Sequence, residues 1–157
     1  MAALAIATVG GLGLRRRNGR FRPVAASVAV RAAASTASGA DQAVAGMARS
    51  GPEGAAPYIS WAELGQPLGA RATLVQFSSA FCAPCRATRQ VLAEVAGMTA
   101  GVAHVEIDAE SHLELVRRLD VRRTPTVFVL GPDGRIARRA SGQPRKADLI
   151  AALGEVT

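Results

Sequence analysis

The sequence predicts an α/β domain, a central mixed β-sheet with helices on both faces. Three observations lead there. Apolar strand-like runs alternate with stretches of helical period, a strong hairpin turn signal falls late in the chain, and the alternating part spans about 100 residues, enough for a packed core. At 157 residues the chain holds one such domain and an extension.

Tyr58-Ile59-Ser60-Trp61 is a short strand candidate, and Trp61 to Leu64 a single helical turn. Ala72 to Phe77 is a buried strand, apolar apart from Thr73 and Gln76. From Arg86 to Met98, apolar residues recur at Val91, Leu92, Val95 and Met98. Those offsets of three and four mark one face of a helix, and Gly97 lies near its end. Val102 to Ile107 is a second strand, and Leu113, Leu115, Val116 and Leu119 give a helix over about residues 111–119. Thr126 to Leu130 is a third strand, Gly131-Pro132-Asp133-Gly134 a turn, and Arg135 to Ala140 the returning arm of a hairpin. A closing helix starts at about Pro144, a first-turn residue, with Leu149, Ile150 and Leu153 on its apolar side. Helical crossovers favour parallel pairing of the first three strands, and the hairpin adds an antiparallel edge.

Residues 1–57 form the extension and residues 58–157 the domain, with the boundary near Tyr58. The formal charge of +7 is concentrated in the extension, where seven Arg meet two acids. Met1 to Leu14 is apolar throughout and is followed by Arg15-Arg16-Arg17, Arg20 and Arg22. Fourteen residues fall short of the roughly 20 that span a bilayer, and a secretory signal carries its charge before the apolar run, not after it. The order suits a membrane anchor cut short by a late start, with the domain on the cytoplasmic side. An Arg-rich, acid-free stretch also fits an organelle transit peptide. A nucleic-acid-binding arm lacks stacking aromatics beyond Phe21, and nucleic acid is not an expected partner. Residues 32–57 have linker composition.

Cys82-Ala83-Pro84-Cys85 holds both cysteines of the chain. Two thiols two residues apart can close a small disulfide ring and reopen it, so the pair stores and passes on two electrons. The strand before it and the helix that begins within it place the cysteines at a helix N-terminus. There unpaired N–H groups and the helix dipole favour a thiolate. Two cysteines are too few for a secreted disulfide scaffold.

The run Val75-Gln76-Phe77-Ser78-Ser79-Ala80-Phe81-Cys82-Ala83-Pro84-Cys85-Arg86 resembles the thioredoxin family. So do Val105-Glu106-Ile107-Asp108, Thr124-Pro125-Thr126 and Gly142 before the last helix. The resemblance covers about residues 70–155 and implies a thioredoxin fold. It implies a thiol-disulfide oxidoreductase that reduces protein disulfides and serves cell redox homeostasis, with Cys82 the attacking thiol and Cys85 the resolving one. It also implies a cis peptide bond at Pro125 that sets the Thr124 backbone against the cysteine loop. The implied partners are disulfide-containing client proteins and, as electron donor, a thioredoxin reductase or a low-molecular-weight thiol. No cofactor or metal is implied, and a monomer is expected. Relatives that work outside the cytoplasm carry an insertion between the two motifs for which there is no room here. The spacing is that of the cytoplasmic form, with or without a tether through residues 1–14.

The chain departs from the family pattern at several positions. Phe81 and Ser78 stand where Trp is common, and Ala83 replaces the usual Gly, which stiffens the loop. Gln76 stands where the family has a buried Asp, and His104 where it often has a Lys partner to that Asp. A Gln76–His104 pair would keep hydrogen bonding while removing a buried charge. Gln does not titrate, so the proton relay of the family is not expected in the same form. Arg86 and Arg89 follow Cys85 on the helix, where they favour a thiolate, steer acidic substrates, or face solvent.

Three alternatives compete. A structural zinc site would draw on Cys82, Cys85, His104 and His112, whose spacing is unlike a finger. A thioredoxin-fold interaction module would leave the cysteines idle. An oxidant or isomerase outside the cytoplasm would use the same cysteines at a higher potential. Covalent haem attachment is excluded, since Arg86 follows the pair where that motif needs His.

Overall fold

The computed structural model describes residues 18–24 and 57–156. Among these residues five strands form one sheet: β1 (Arg22–Pro23), β2 (Ala72–Ser78), β3 (Val102–Asp108), β4 (Thr126–Leu130) and β5 (Ile136–Ser141). Four helices accompany them among the described residues: α1 (Trp61–Leu64), α2 (Ala83–Met98), α3 (Leu113–Arg118) and α4 (Lys146–Gly154). The sheet order is β1-β5-β4-β2-β3.

Every residue of β2 is buried, as a central strand covered on both faces requires. Alternate side chains go to opposite faces and build two cores. Ala72, Leu74, Val127 and Val129 pack with Leu92 and Val95 of α2 and Leu149 and Leu153 of α4. On the other face Val75, Phe77, Phe128 and Leu130 meet Leu64 of α1 and Leu115 of α3. The Phe77 and Phe128 rings sit edge to face with centroids 5.7 Å apart.

The expected parallel run of three strands holds only for β2 and β3; β4 is antiparallel to β2. Helix length explains both. The 16 residues of α2 climb about 24 Å, matching a seven-residue strand of about 23 Å, so the chain returns to the start of the sheet before β3. The six residues of α3 climb only about 9 Å. They leave the chain at the end of the sheet where β3 finished, and β4 must descend. The hairpin into β5 follows as expected, with Gly134 at φ 82° in its turn.

Two helical stripes differ in detail. In α2 the buried positions are Cys85, Thr88, Leu92 and Val95, while Met98 is exposed; the Thr88 hydroxyl is satisfied by the Pro84 carbonyl at 2.9 Å. In α4 the buried set is Leu149, Ala152 and Leu153, with Ile150 turned outward. Pro144 precedes this helix, which has Arg145 as its N-cap.

Residues 18–24, expected in the extension, lie against the domain. Arg22 and Pro23 pair with Arg139 and Arg138 of β5, the Gly19 N–H donates to the Ser141 carbonyl at 2.9 Å, and Phe21 and Val24 pack on the two cores. Pro23 is tolerated because β1 is an edge strand. The chain grips β5 again beyond the linker, where the Ile136 N–H donates to the Pro57 carbonyl at 2.8 Å and Tyr58 bridges to Arg135. The apolar segment 1–14 lies outside the described residues, among which no helix is long and apolar enough to cross a membrane.

Arg139 ties β5 to the end of α3. Its guanidinium donates to the carbonyls of Leu119 (2.8 Å) and Asp120 (2.6 Å) and lies 5.3 Å from the Phe128 ring centre. The short α3 thus gains a cation at its C-terminal carbonyls. Arg139→Ala is expected to cost about 2 kcal/mol, read as a lower urea midpoint, because two charge-assisted bonds and the ring contact go together. An unchanged midpoint would show that solvent replaces the guanidinium at no cost.

Candidate active site

The site begins where β2 ends. Ser79, Ala80 and Phe81 lead from the strand to Cys82, the N-cap of α2, and Pro84 sits in the first turn, where its missing N–H leaves no helical bond unmade. Cys82 and Cys85 are joined in a disulfide with Cα atoms 5.2 Å apart. Cys82 is half-buried, and Cys85 is 2% exposed. Cys82 is therefore the more open residue of the pair and Cys85 the covered one.

Two contacts fix this loop, and a third anchors the proline turn beside it. The Gln76 side chain, fully buried on β2, donates from Nε2 to the Cys85 carbonyl at 2.9 Å. The Ser79 and Thr124 hydroxyls are hydrogen-bonded at 3.0 Å, joining the loop before the cysteines to the start of β4. The Thr124–Pro125 bond is cis, as the resemblance implied. The Pro125 carbonyl accepts from the Gly142 N–H at 2.7 Å, and Gly142 has φ 93° with the Asn18 side chain where a Cβ would lie. Phe81 projects next to Cys82, 99% exposed, and Ala83 is exposed beside it.

Gln76 and His104 do not form the expected pair. The β2–β3 register sets Leu74 beside His104 and Glu106 beside Gln76. Gln76 spends its amide N–H on the Cys85 carbonyl, while its Oε1 and the His104 Nε2 are buried without a hydrogen-bond partner among the described residues. Burial pushes the His104 pKa down; the Glu106 charge opposes this and the Arg89 charge adds to it. Arg89 does not simply face solvent: its guanidinium meets the Glu106 carboxylate twice, at 2.6 and 2.7 Å. Partial burial works against ionisation of Glu106, but Arg89 and the Ser78 hydroxyl outweigh it and hold the carboxyl below the usual range. Among the described residues no group of three or more His, Cys, Asp or Glu is placed to hold one metal ion.

Sequence reasoning missed the Ser79–Thr124 bond and the Arg89–Glu106 pair. Both depend on which strands are neighbours and in what register, and no local pattern records that.

The thioredoxin family pattern matches residues 63–155. The chain belongs to the thioredoxin family. It is 29% identical over 72 residues to thioredoxin H5 of Oryza sativa subsp. japonica, covering 46% of this chain and 53% of that one. It is 33% identical over 69 residues to thioredoxin H2-1 of the same plant, covering 44% and 49%. The chain thus spans about half the length of these curated relatives. Among solved structures, a thioredoxin from Nicotiana alata superposes with TM-score 0.50 at 22% identity, over 55% of this chain and 74% of that one. A mutant thioredoxin from Halobacterium salinarum gives TM-score 0.50 at 26% identity, over 55% and 75%. The fold is that of thioredoxin, and a close cysteine pair in such a domain is the arrangement of thiol-disulfide oxidoreductases.

Gln76 beneath the cysteine loop and His104 on β3 each set a pH dependence. A carboxyl in place of the Gln76 amide is desolvated, so its folded pKa rises above the unfolded value of about 3.9. Gln76→Asp therefore loses stability as pH rises from about 4 to 8 relative to the parent, and its turnover gains a new pH dependence. Urea midpoints and a pH–rate profile check this; curves parallel to the parent would count against a desolvated site. For His104 the sign is opposite in origin. Its folded pKa lies below the unfolded value of about 6.5, so the unfolded chain binds more protons and stability is lost as pH falls below about 6.5. His104→Gln should lose less stability than the parent between about pH 7.5 and 5.5. Equal losses would mean that the imidazole protonates freely in the fold.

Proposed function

We propose that this protein reduces disulfides in client proteins by dithiol-disulfide exchange through Cys82 and Cys85, as part of cell redox homeostasis. The observation that carries the reading is the asymmetry of the pair: a half-buried cysteine at the helix N-cap and a covered one in the first turn. In the reduced protein, the N-terminal N–H groups of α2 and its dipole stabilise a thiolate on Cys82. That thiolate attacks a client disulfide, forming a mixed disulfide and releasing one client thiolate. Cys85 then attacks Cys82 from within the ring, releasing the second client thiolate and restoring the disulfide.

Pro84, Ala83 and Gln76 hold the helix start in place, while Phe81, Thr124 and Pro125 line the approach. Phe81 supplies exposed apolar surface for a client, and the loop at Thr124 and Pro125 offers an extended edge for a peptide to pair with. A thioredoxin reductase or a low-molecular-weight thiol returns the electrons. The cytoplasmic placement rests on the arginines that follow the apolar segment and on the close spacing of the two motifs. The protein acts as a monomer, and residues 1–14 are its candidate tether.

In an assay of protein disulfide reduction driven by a dithiol, the parent should be active and Cys82→Ser inactive. Cys85→Ser should accumulate a mixed disulfide with the client, visible as an added mass that reductant removes. Activity surviving in Cys82→Ser would take that residue out of its role. Equilibration with glutathione buffers should give a reduction potential at or below about −220 to −260 mV, the cytosolic poise. A value well above it would make the protein an oxidant or isomerase.

A further inference from the structure

Beside the disulfide lies a cavity of about 500 Å³ whose wall carries Cys82, Cys85, Arg86, Arg89, Glu106 and Asp108. It exists because the chain is small where β2 ends: Ser78, Ser79 and Ala80 complete the lining. Its size is that of small-ligand pockets, which run from about 300 to 1,000 Å³. The sheet order puts it on a different side from the client approach. β3, which supplies Glu106 and Asp108, flanks β2 on one side, whereas β4, which begins after Pro125, flanks it on the other. The disulfide thus has two approaches, one along a peptide-like edge and one through an open, charged hollow.

The charges in that hollow are selective. Arg89 and Glu106 satisfy each other. Arg86 joins none of the ion pairs among the described residues, and its guanidinium is a fork suited to a carboxylate. The Asp108 carboxylate is oriented by the Ser111 hydroxyl (2.5 Å) and the Glu110 N–H (3.1 Å), and it keeps lone pairs for a further donor. One unpaired cation and one oriented anion beside an accessible sulfur fit a molecule with a carboxylate, an ammonium and a thiol.

We propose that this cavity binds a zwitterionic small thiol, an amino-acid or short-peptide thiol, which reduces the Cys82–Cys85 disulfide. This rests on the redox reading above and names its electron donor. The first thiolate, RS⁻, attacks Cys82 Sγ; the RS–Cys82 bond forms, the Cys82–Cys85 bond breaks, and Cys85 leaves as a thiolate and takes up a proton. A second RS⁻ attacks the RS sulfur; RSSR forms and Cys82 leaves and is protonated. Two RSH become one RSSR, and the disulfide takes up two electrons and two protons.

The test uses the oxidised full-length chain, with glutathione as the zwitterionic probe and 2-mercaptoethanol as the uncharged comparator. Disulfide opening is followed by alkylation and mass measurement, and rates are expressed per thiolate. The parent should favour glutathione over 2-mercaptoethanol. Arg86→Gln should cut that ratio by about three- to fivefold, the size of a partly exposed charge pair. Glutathione with its carboxylates esterified should show the lower ratio in the parent and no further drop in Arg86→Gln, as expected if the two changes remove one interaction. Asp108→Asn should lower the ratio for glutathione but not for its N-acetyl derivative. A ratio unchanged in Arg86→Gln, or one that falls equally for the ester, overturns the site while leaving the redox reading intact. If neither thiol nor a dithiol opens the disulfide, the redox reading falls with it.

Discussion

The hydrogen bond from Gln76 to the Cys85 carbonyl is the point on which the site turns. The central strand is buried along its whole length, and Gln76 is the largest polar side chain it carries. Burying an amide without partners is costly, so its N–H must find an acceptor. The acceptor it finds lies in the first turn of α2. That single contact pins the start of the helix to the middle of the sheet and holds the cysteines above the strand end. The Ser79–Thr124 bond then joins the same loop to β4, and the Gly142–Pro125 bond joins β4 to the loop before α4.

Helix length does the corresponding work at the scale of the sheet. A long α2 returns the chain and makes β3 parallel, while a short α3 does not return it and makes β4 antiparallel. The outcome is that β2 is flanked by strands of opposite direction. A strand end and a strand start therefore meet beside the disulfide: Asp108 from one, Thr126 from the other. The two neighbourhoods differ in chemistry because of this, one rich in acidic and basic side chains and the other presenting backbone.

Much of this was legible in the sequence, for physical reasons. The apolar runs over β2, β3 and β4 and the stripe Leu92–Val95 are strong signals because burial on both faces leaves little freedom of residue type. The cysteine pair and Thr124-Pro125 were legible through their likeness to a family, since neither spacing alone determines a fold. The direction of β4 was not legible: the period from Leu113 to Leu119 reveals a helix but not whether it is long enough to recross the sheet. The Gln76–His104 pairing failed for a related reason, because register decides which side chains are neighbours and register put Leu74 opposite His104. β1 escaped because two residues, Arg22 and Pro23, carry no strand pattern of their own.

The segment at residues 18–24 has a consequence of its own. Its ladder with β5 is two residues long, far too short to hold a free peptide in place. Phe21 and Val24 packed on the two cores and the Gly19–Ser141 bond add to that ladder, and the chain also joins the segment covalently to the next grip at Pro57 and Tyr58. Such a tether raises the local concentration of the strand at its own docking edge, and that concentration falls only slowly as the connection lengthens. The edge of the sheet is therefore closed by local contacts and by connectivity together. A cut anywhere in residues 25–56 would turn a unimolecular contact into a bimolecular one, and the cover on β5 and the Gly142 corner would then rest on those local contacts alone.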